Sequence, residues 1–440
     1  MRIRRRRTAL ALAMMAVLCG CQATTHQGAS TESAKYPPLS GSPGITDSKI
    51  TVAVIGVTNR QSTLWTSYSP VYAALQKDLE QYNADGGVAG RKLATVPMYD
   101  GAKGNEKSIF EATRSICDLA VRQRHSFVTQ GQASFSSTKE LEQAGCVGST
   151  RTVNVLRTAL IKKDELAESP DLVAPYALDD VTASRTLVRR LAAQGFFKGA
   201  TRVGVVNPGG DYAATINNVL VKELARLGIK NPFVLIGKGD EGTQAEASSD
   251  VLKLKAAKVD RVVFLNDSQG GSLLRLAQAM VGQKYTPPFG TLNNVYPEYL
   301  INLKYPAHQV HVVSTLGNYA PTGSGDPLPG LPKTPASKRC TEAAAGTGQK
   351  IDPTTTYSLL TGCDTLGLTV EALKASGAKQ PSTAAFFDGL SKLTKFDSAF
   401  GIPLDFSHGR AGASQVWDLK GDDACGCLKV ASGPHPVSRG

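Results

Sequence analysis

Short apolar stretches rich in β-branched residues alternate with amphipathic stretches of helix length along most of this chain, and few folds accommodate that order. Ile50 to Val57, Leu93 to Tyr99, Phe127 to Thr129 and Cys146 to Gly148 read as strands, and so do Arg202 to Val206, Phe233 to Ile236, Arg261 to Leu265, Phe289 to Leu292 and Val310 to Ser314. Helical periodicity separates them. Pro70 to Asn83 puts Val71, Leu75, Leu79 and Tyr82 on one face and is stopped by Gly86-Gly87. Further helices are expected over Lys107 to Arg122, Thr138 to Ala144, Ser184 to Ala193, Tyr212 to Leu227, Glu246 to Lys258 and Ser272 to Gly282. Tyr357 to Ser376 and Thr383 to Leu393 follow, and Gln415 to Leu419 with Cys427 to Val430 reads as a strand or hairpin. Nearly continuous apolar strands belong to sheets covered on both faces, and strands linked by helices imply parallel, doubly wound sheets. A chain of 440 residues holds too many such units for one small sheet, so two α/β lobes are expected. Gly317 to Lys338, rich in Gly and Pro, reads as a loop too long for a tight connection.

The amino terminus points outside the cytoplasm. Arg2 and Arg4 to Arg7 precede an apolar run from Ala9 to Leu18 that falls short of the ~20 residues a spanning helix needs. Leu18-Cys19-Gly20-Cys21 then resembles a bacterial lipobox, with Cys21, preceded by small Gly20, as the lipid acceptor. Residues 1–20 are therefore expected to be a lipoprotein signal peptide. Residues 21–44, rich in Ser, Thr, Gly and Pro, would form a lipidated, flexible tether. The alternatives are an uncut anchor or an ordinary export signal.

The leader also explains part of the basic charge. Five arginines and no acid precede Cys21, so removing them lowers the formal charge from +12 to +7. The remaining cations, such as Lys162-Lys163 and Arg189-Arg190, are dispersed and read as solvated surface, and no nucleic-acid partner is expected. Past the lipobox stand Cys117, Cys146, Cys340, Cys363, Cys425 and Cys427. An even number in an exported chain favours disulfides over free thiols or a metal site, and proximity favours 117–146, 340–363 and 425–427. The six histidines show no ligand spacing with these cysteines, so no metal is expected.

Catalytic patterns are missing from the sequence. Gly237 to Gly242 formally fits the dinucleotide fingerprint G-x-G-x-x-G, yet the glycines of any strand-to-helix loop can satisfy so loose a pattern. Gly101 to Ser108 fails as a P-loop because Glu106 replaces the second glycine. Neither G-x-S-x-G nor H-E-x-x-H occurs. An enzyme and a cofactor are accordingly not expected. The loops Thr129 to Ser134 and Gly148 to Thr152 are rich in hydroxyl and amide side chains, which suits either an anion at helix N-termini or plain helix capping.

Gly44 to Val54, and above all Tyr82-Asn83-Ala84-Asp85-Gly86-Gly87-Val88-Ala89-Gly90-Arg91-Lys92-Leu93 followed by Asp100, resemble the type I periplasmic substrate-binding proteins of the branched-chain amino acid (leucine/isoleucine/valine) ABC-transporter group. Gly210-Asp211-Tyr212 is similar to that family's start of a second-lobe helix. The resemblance implies two Rossmann-like doubly wound lobes joined by three crossovers, near residues 177–180, 288–290 and 415–419. Lobe 1 would comprise 45–177 with 290–414, and lobe 2 would comprise 178–289 with 415–440. It places Gln132 and Ser134 after the third strand, and Ser149 and Thr150 after the fourth, around a ligand carboxylate. Tyr212 and Asp267 would meet the ligand from the second lobe, Asp267 facing an ammonium, with Trp65 or Tyr68 as a cover. The first loop, Gly56-Val57-Thr58-Asn59-Arg60-Gln61, lacks the family's usual Pro-Leu-[ST]-Gly. The implied protein is a monomeric binding protein, lipid-anchored outside the cell membrane, that delivers a small polar ligand (an amino acid, amide or small carboxylate) to an ABC permease. The alternative is a ligand sensor of the same fold signalling to a membrane partner.

Overall fold

The computed structural model describes residues 42–62, 64–100, 109–130, 151–156, 158–207, 209, 212–238, 242–265, 271–293, 298–315, 334–351 and 353–438. These residues lie within one compact unit, Pro38–Gly440. The elements of the first half are β1 (Lys49–Val54), α1 (Trp65–Ala84), β2 (Lys92–Pro97), α2 (Ile109–Cys117), β3 (Val128–Gln130), β4 (Val153–Val155), β5 (Leu160–Ile161), α3 (Lys163–Glu168), β6 (Leu172–Val173), β7 (Leu178–Asp179) and α4 (Asp180–Ala193). Next come β8 (Val203–Asn207), α5 (Ala213–Thr215), a π-wound stretch over Ile216–Leu220, α6 (Val221–Arg226), β9 (Phe233–Ile236), α7 (Gln244–Ala256), β10 (Arg261–Phe264), α8 (Gly271–Gly282), β11 (Phe289–Asn293), α9 (Glu298–Asn302) and β12 (Val310–Ser314). The last are α10 (Pro335–Ala345), α11 (Pro353–Ser376), α12 (Thr383–Ser391), β13 (Phe396–Asp397), β14 (Pro403–Leu404), β15 (Gln415–Asp422) and β16 (Cys427–Pro436).

Two sheets organise the molecule. The first is five-stranded, ordered β2-β1-β3-β4-β6 and parallel throughout. The second is seven-stranded, ordered β16-β15-β12-β11-β10-β8-β9; its five strands from β12 to β9 are parallel, and β15 and β16 add antiparallel. Ile50, Val52, Val54, Val262 and Val263 are fully buried, as strands covered on both faces must be. Alternate residues of β8 and β10 feed two different cores. Val206, Val262 and Phe264 join one, with Leu254 and Leu276, while Val203, Val205 and Val263 join another, with Leu187 and Leu224.

The boundary expected near residue 290 is not where the sheets divide. Phe289 pairs with Val262 and Val310, so β11 and β12 belong to the second sheet and the chain leaves it only after Ser314. Residues 290–314, expected in the first lobe, therefore go with the second sheet. The local reason is packing against α4: a side chain on Gly290 would lie 2.6 Å from Leu191, so this strand takes a glycine to accept the helix. The chain re-enters the first half at α10, which packs with α11 against α1. Cys340 and Cys363 join these two helices by a disulfide with Cα atoms 5.9 Å apart, and Cys425–Cys427 closes the β15–β16 turn. Cys117 is disulfide-bonded too, and its expected partner Cys146 lies outside the described residues.

α11 and α12 approach each other closely at Gly389. A Cβ on Gly389 would stand 1.7 Å from the carbonyl oxygen of Ala372. Gly389→Ala is expected to force the helices apart and cost about 1–3 kcal/mol; an unchanged urea midpoint would contradict this packing.

Candidate functional site

The carboxyl ends of parallel strands are where open α/β sheets place ligands. At the end of β1 the chain runs through Ile55, Gly56, Val57 and Thr58. The Ile55 N–H donates to Gln130 Oε1 (2.9 Å), and the fully buried Gln130 in turn donates through Nε2 to the Ser358 carbonyl (3.0 Å). One amide therefore locks the first loop, the third strand and α11 together. Gly56 is obligatory, because a Cβ would fall 2.3 Å from the Tyr72 ring. Beyond it, Asp100 accepts from Thr58 N (2.6 Å), Thr58 Oγ1 (2.5 Å) and Asn59 N (3.2 Å). The acid that follows the glycine turn thus shapes this loop. Tyr68 stacks on Tyr99 at 4.9 Å, and the Arg60 guanidinium lies 5.7 Å from the Trp65 ring centre. Trp65, at the start of α1, is half-buried beside this loop, while Tyr68 is engaged by Tyr99.

Among the described residues the strand that follows β3 is Val153–Val155, and the chain leaves it at Leu156. The strand expected at Cys146 to Gly148 lies outside the described residues. Asn154 interrupts the apolar pattern of β4. Asn154 is nevertheless buried, with Thr129 Oγ1 donating to its Oδ1 (2.6 Å) and its Nδ2 donating to the Thr152 carbonyl (3.0 Å). Thr158, in the loop that does follow β4, is buried and donates to the Leu160 carbonyl (2.7 Å). Gln132, Ser134, Ser149, Thr150 and Asp267 lie outside the described residues, as does Cys21.

Tyr212 stands at the start of α5. Lys162 Nζ sits 5.7 Å from its ring centre, a cation–π pair that joins the end of β5 to the helix that follows β8. Reading Lys162 as solvated surface missed this role, since a lone Lys-Lys pair carries no positional signal. Below it, Asp180 accepts from the Thr215 hydroxyl and from the Lys163 N–H (3.3 Å), and Asp179 caps α4 by accepting from Thr182 N (2.9 Å). At the end of β8, fully buried Asn207 accepts from Gly209 N–H at 2.8 Å, while its Nδ2 has no partner. A short parallel pair, β5–β7, frames the first crossover, and the Tyr176 hydroxyl just before β7 donates to buried Asp364 of α11 (2.6 Å).

Among the described residues no cluster of His, Cys, Asp and Glu could hold a metal ion, and no helix is long and apolar enough to cross a membrane. The sequence matches the periplasmic binding protein family over residues 52–419, and the chain belongs to that family, whose members bind solutes and do not catalyse reactions. Comparison with curated proteins finds no match. Among solved structures it is similar to a fatty acid ABC transporter substrate-binding protein from Thermomonospora curvata (18% identity, TM-score 0.59, covering 90% of this chain and 95% of that one). It is also similar to a leucine binding protein from Thermotoga maritima (13%, 0.59, 88% and 99%). A third likeness is to a solute binding protein of an ABC transporter from Rhodopseudomonas palustris, in complex with p-hydroxybenzoic acid (15%, 0.60, 88% and 97%). At these identities the likeness establishes the shared fold of two parallel-sheet lobes.

Proposed function

We propose that this protein captures a small polar solute between the carboxyl edges of its two sheets and delivers it to an ABC permease. Lipid on Cys21 would hold it at the outer face of the cell membrane, with residues 21–44 as the tether. The two lobes are residues 42–177 with 334–414, and 178–315 with 415–438. The observation that carries the reading is the pairing of Tyr212 with Lys162, which puts an aromatic and a cation at the first crossover, where a closing lobe would meet its partner. The solute class, an amino acid, amide or small carboxylate, agrees with the leucine and p-hydroxybenzoic acid ligands of the solved neighbours.

Calorimetric titration of the purified chain with a panel of these solutes tests the reading; a protein that binds none of them contradicts it. Tyr212→Ala is expected to weaken binding about tenfold, about 1.4 kcal/mol. For a zwitterionic amino acid, Asp267→Ala is expected to cost at least ~2 kcal/mol, because a buried ammonium loses its counter-charge. Unchanged affinity in Asp267→Ala points to a ligand without an ammonium group.

A further inference from the structure

One face of the second sheet carries nearly unopposed positive charge. α4 and α6 cover that face, sharing a core with Val203, Val205 and Val263 through Leu187 and Leu224. α7 and α8 lie on the other side, where Leu254 and Leu276 pack with Val262 and Phe264. From Val181 to Arg202 and from Tyr212 to Pro232 the sequence holds eight lysines and arginines against a single acid, Glu223. Along the chain these cations look dispersed, because they come from two segments that meet only when α4 and α6 pack together.

Glu223 does not neutralise the group. It is buried, and the guanidiniums of Arg185 (3.7 Å), Arg189 (3.4 Å) and Arg226 all turn to its one carboxylate. A single negative charge therefore fixes three positive ones and leaves the cluster cationic. Asp180, the acid that opens α4, is buried and engaged by Thr215. Lys198, Lys222 and Lys230 are exposed on the same two segments and form no salt bridge among the described residues. The opposite face is balanced by contrast: Lys238 pairs with Glu246 at 2.7 Å and Lys253 with Asp250 at 2.8 Å. Beside Arg226 stands Leu227, a large apolar side chain that is 45% exposed.

We propose that the α4–α6 face rests on an anionic lipid surface, its lysines and arginines meeting phosphodiester headgroups while Leu227 enters between them. Charge complementarity selects an anionic partner, and the tether selects a membrane. The stretch from Cys21 to Ser42 spans at most about 75 Å, so a lipid on Cys21 keeps this face within reach of headgroups at all times. Lysines on flexible four-carbon stems, spread over two helices and their flanking turns, suit a laterally fluid surface better than the fixed acids of a protein. The choice of a membrane rests on the reading of Cys21 as its anchor; the basic face does not.

Lysine acetylation by a neutral reagent, read residue by residue by mass spectrometry, tests this. The chain isolated from membranes is reconstituted in vesicles of phosphatidylcholine alone or with about one-third phosphatidylglycerol. With the anionic lipid, Lys198, Lys222 and Lys230 are expected to react at least about fivefold more slowly, and about 1 M salt should restore their rates. Lys253 on α7 and Lys374 on α11 should keep theirs. Lys198→Glu combined with Lys230→Glu changes only exposed side chains and should release Lys222 from protection. Equal rates in the two kinds of vesicle overturn the proposal, and so does protection of Lys222 that survives the double reversal. Slowing that appears only when the vesicles also carry a membrane-protein extract gives the face to an acidic protein and overturns the lipid assignment. Failure of the anchor reading looks different: the chain then leaves phosphatidylcholine vesicles altogether, while the basic face still takes it onto those with phosphatidylglycerol.

Discussion

Replacing Arg339 with alanine is expected to destabilise the protein by about 3–5 kcal/mol, the usual cost of leaving a buried charge without its partner. Asp78, on α1, is fully buried, and Arg339 of α10 donates to its Oδ1 through Nε at 2.8 Å. Burial pushes the Asp78 carboxyl up, and the Arg339 guanidinium opposes that rise. Asp78 Oδ2 has no hydrogen-bond partner, so the guanidinium is its principal compensation. The same guanidinium stacks 4.3 Å from the centre of the Tyr82 ring, one helical turn further along α1. Removing it takes away a charge, a hydrogen bond and the cation–π contact together. Urea unfolding measures the loss, and a change below about 1 kcal/mol would falsify the assignment. Asp78→Leu combined with Arg339→Met should recover much of the stability, because an apolar pair of similar volume often replaces a buried ion pair without loss.

The second large effect depends on pH. Asp364, in the middle of α11, is buried and accepts from Tyr176 Oη (2.6 Å), Ala399 N–H (2.5 Å) and the Ser398 hydroxyl. Burial pushes its carboxyl up from 3.8 to about 6, against the hydrogen bonds and the charge of Arg339, which pull it down. The folded chain therefore keeps this proton to a higher pH than the unfolded chain does. The resulting stabilisation is complete below the unfolded pKa and is lost as pH rises from about 3.8 through about 6. It amounts to roughly 3 kcal/mol. Asp364→Asn cannot titrate, so the stability of the parent relative to the variant should fall by about that amount between pH 4 and pH 7. Urea unfolding of both at the two ends of this range gives the answer; a difference independent of pH would show that Asp364 does not titrate there.

Much of the architecture could be read from the chain because parallel strands declare themselves as apolar runs. β8, β9, β10, β11 and β12 fall within a residue of their apolar stretches, and β1 within three. What escaped reading lacked that signature. β4 is three residues long with a polar centre, and only the tertiary partners of Asn154 make it a buried strand. α10 lies at the end of a Gly/Pro-rich segment, and its start is marked by local chemistry alone: Thr334 accepts from Ser337 N–H, and Pro335 takes the first helical position. The sheet to which β11 belongs is decided by its pairing with β10, which no local pattern encodes. At the site, Tyr212 was legible as an aromatic opening a helix. Lys162 was not, because its significance comes from a contact between segments far apart in sequence.

The placement of α10 and α11 bears on how the molecule forms. These helices, supplied by residues 335–376, cover α1, which was made some 270 residues earlier. Until they emerge, Asp78 has no cation, Tyr176 has no Asp364 to engage, and β3 lacks the backbone that receives Gln130. A growing chain therefore cannot complete its first sheet's shell ahead of the second sheet. Consolidation waits for contacts of long sequence separation, which are slow to form. Such a delay keeps the nascent polypeptide pliable until nearly all of it has been synthesised, the condition a translocon requires of anything it threads.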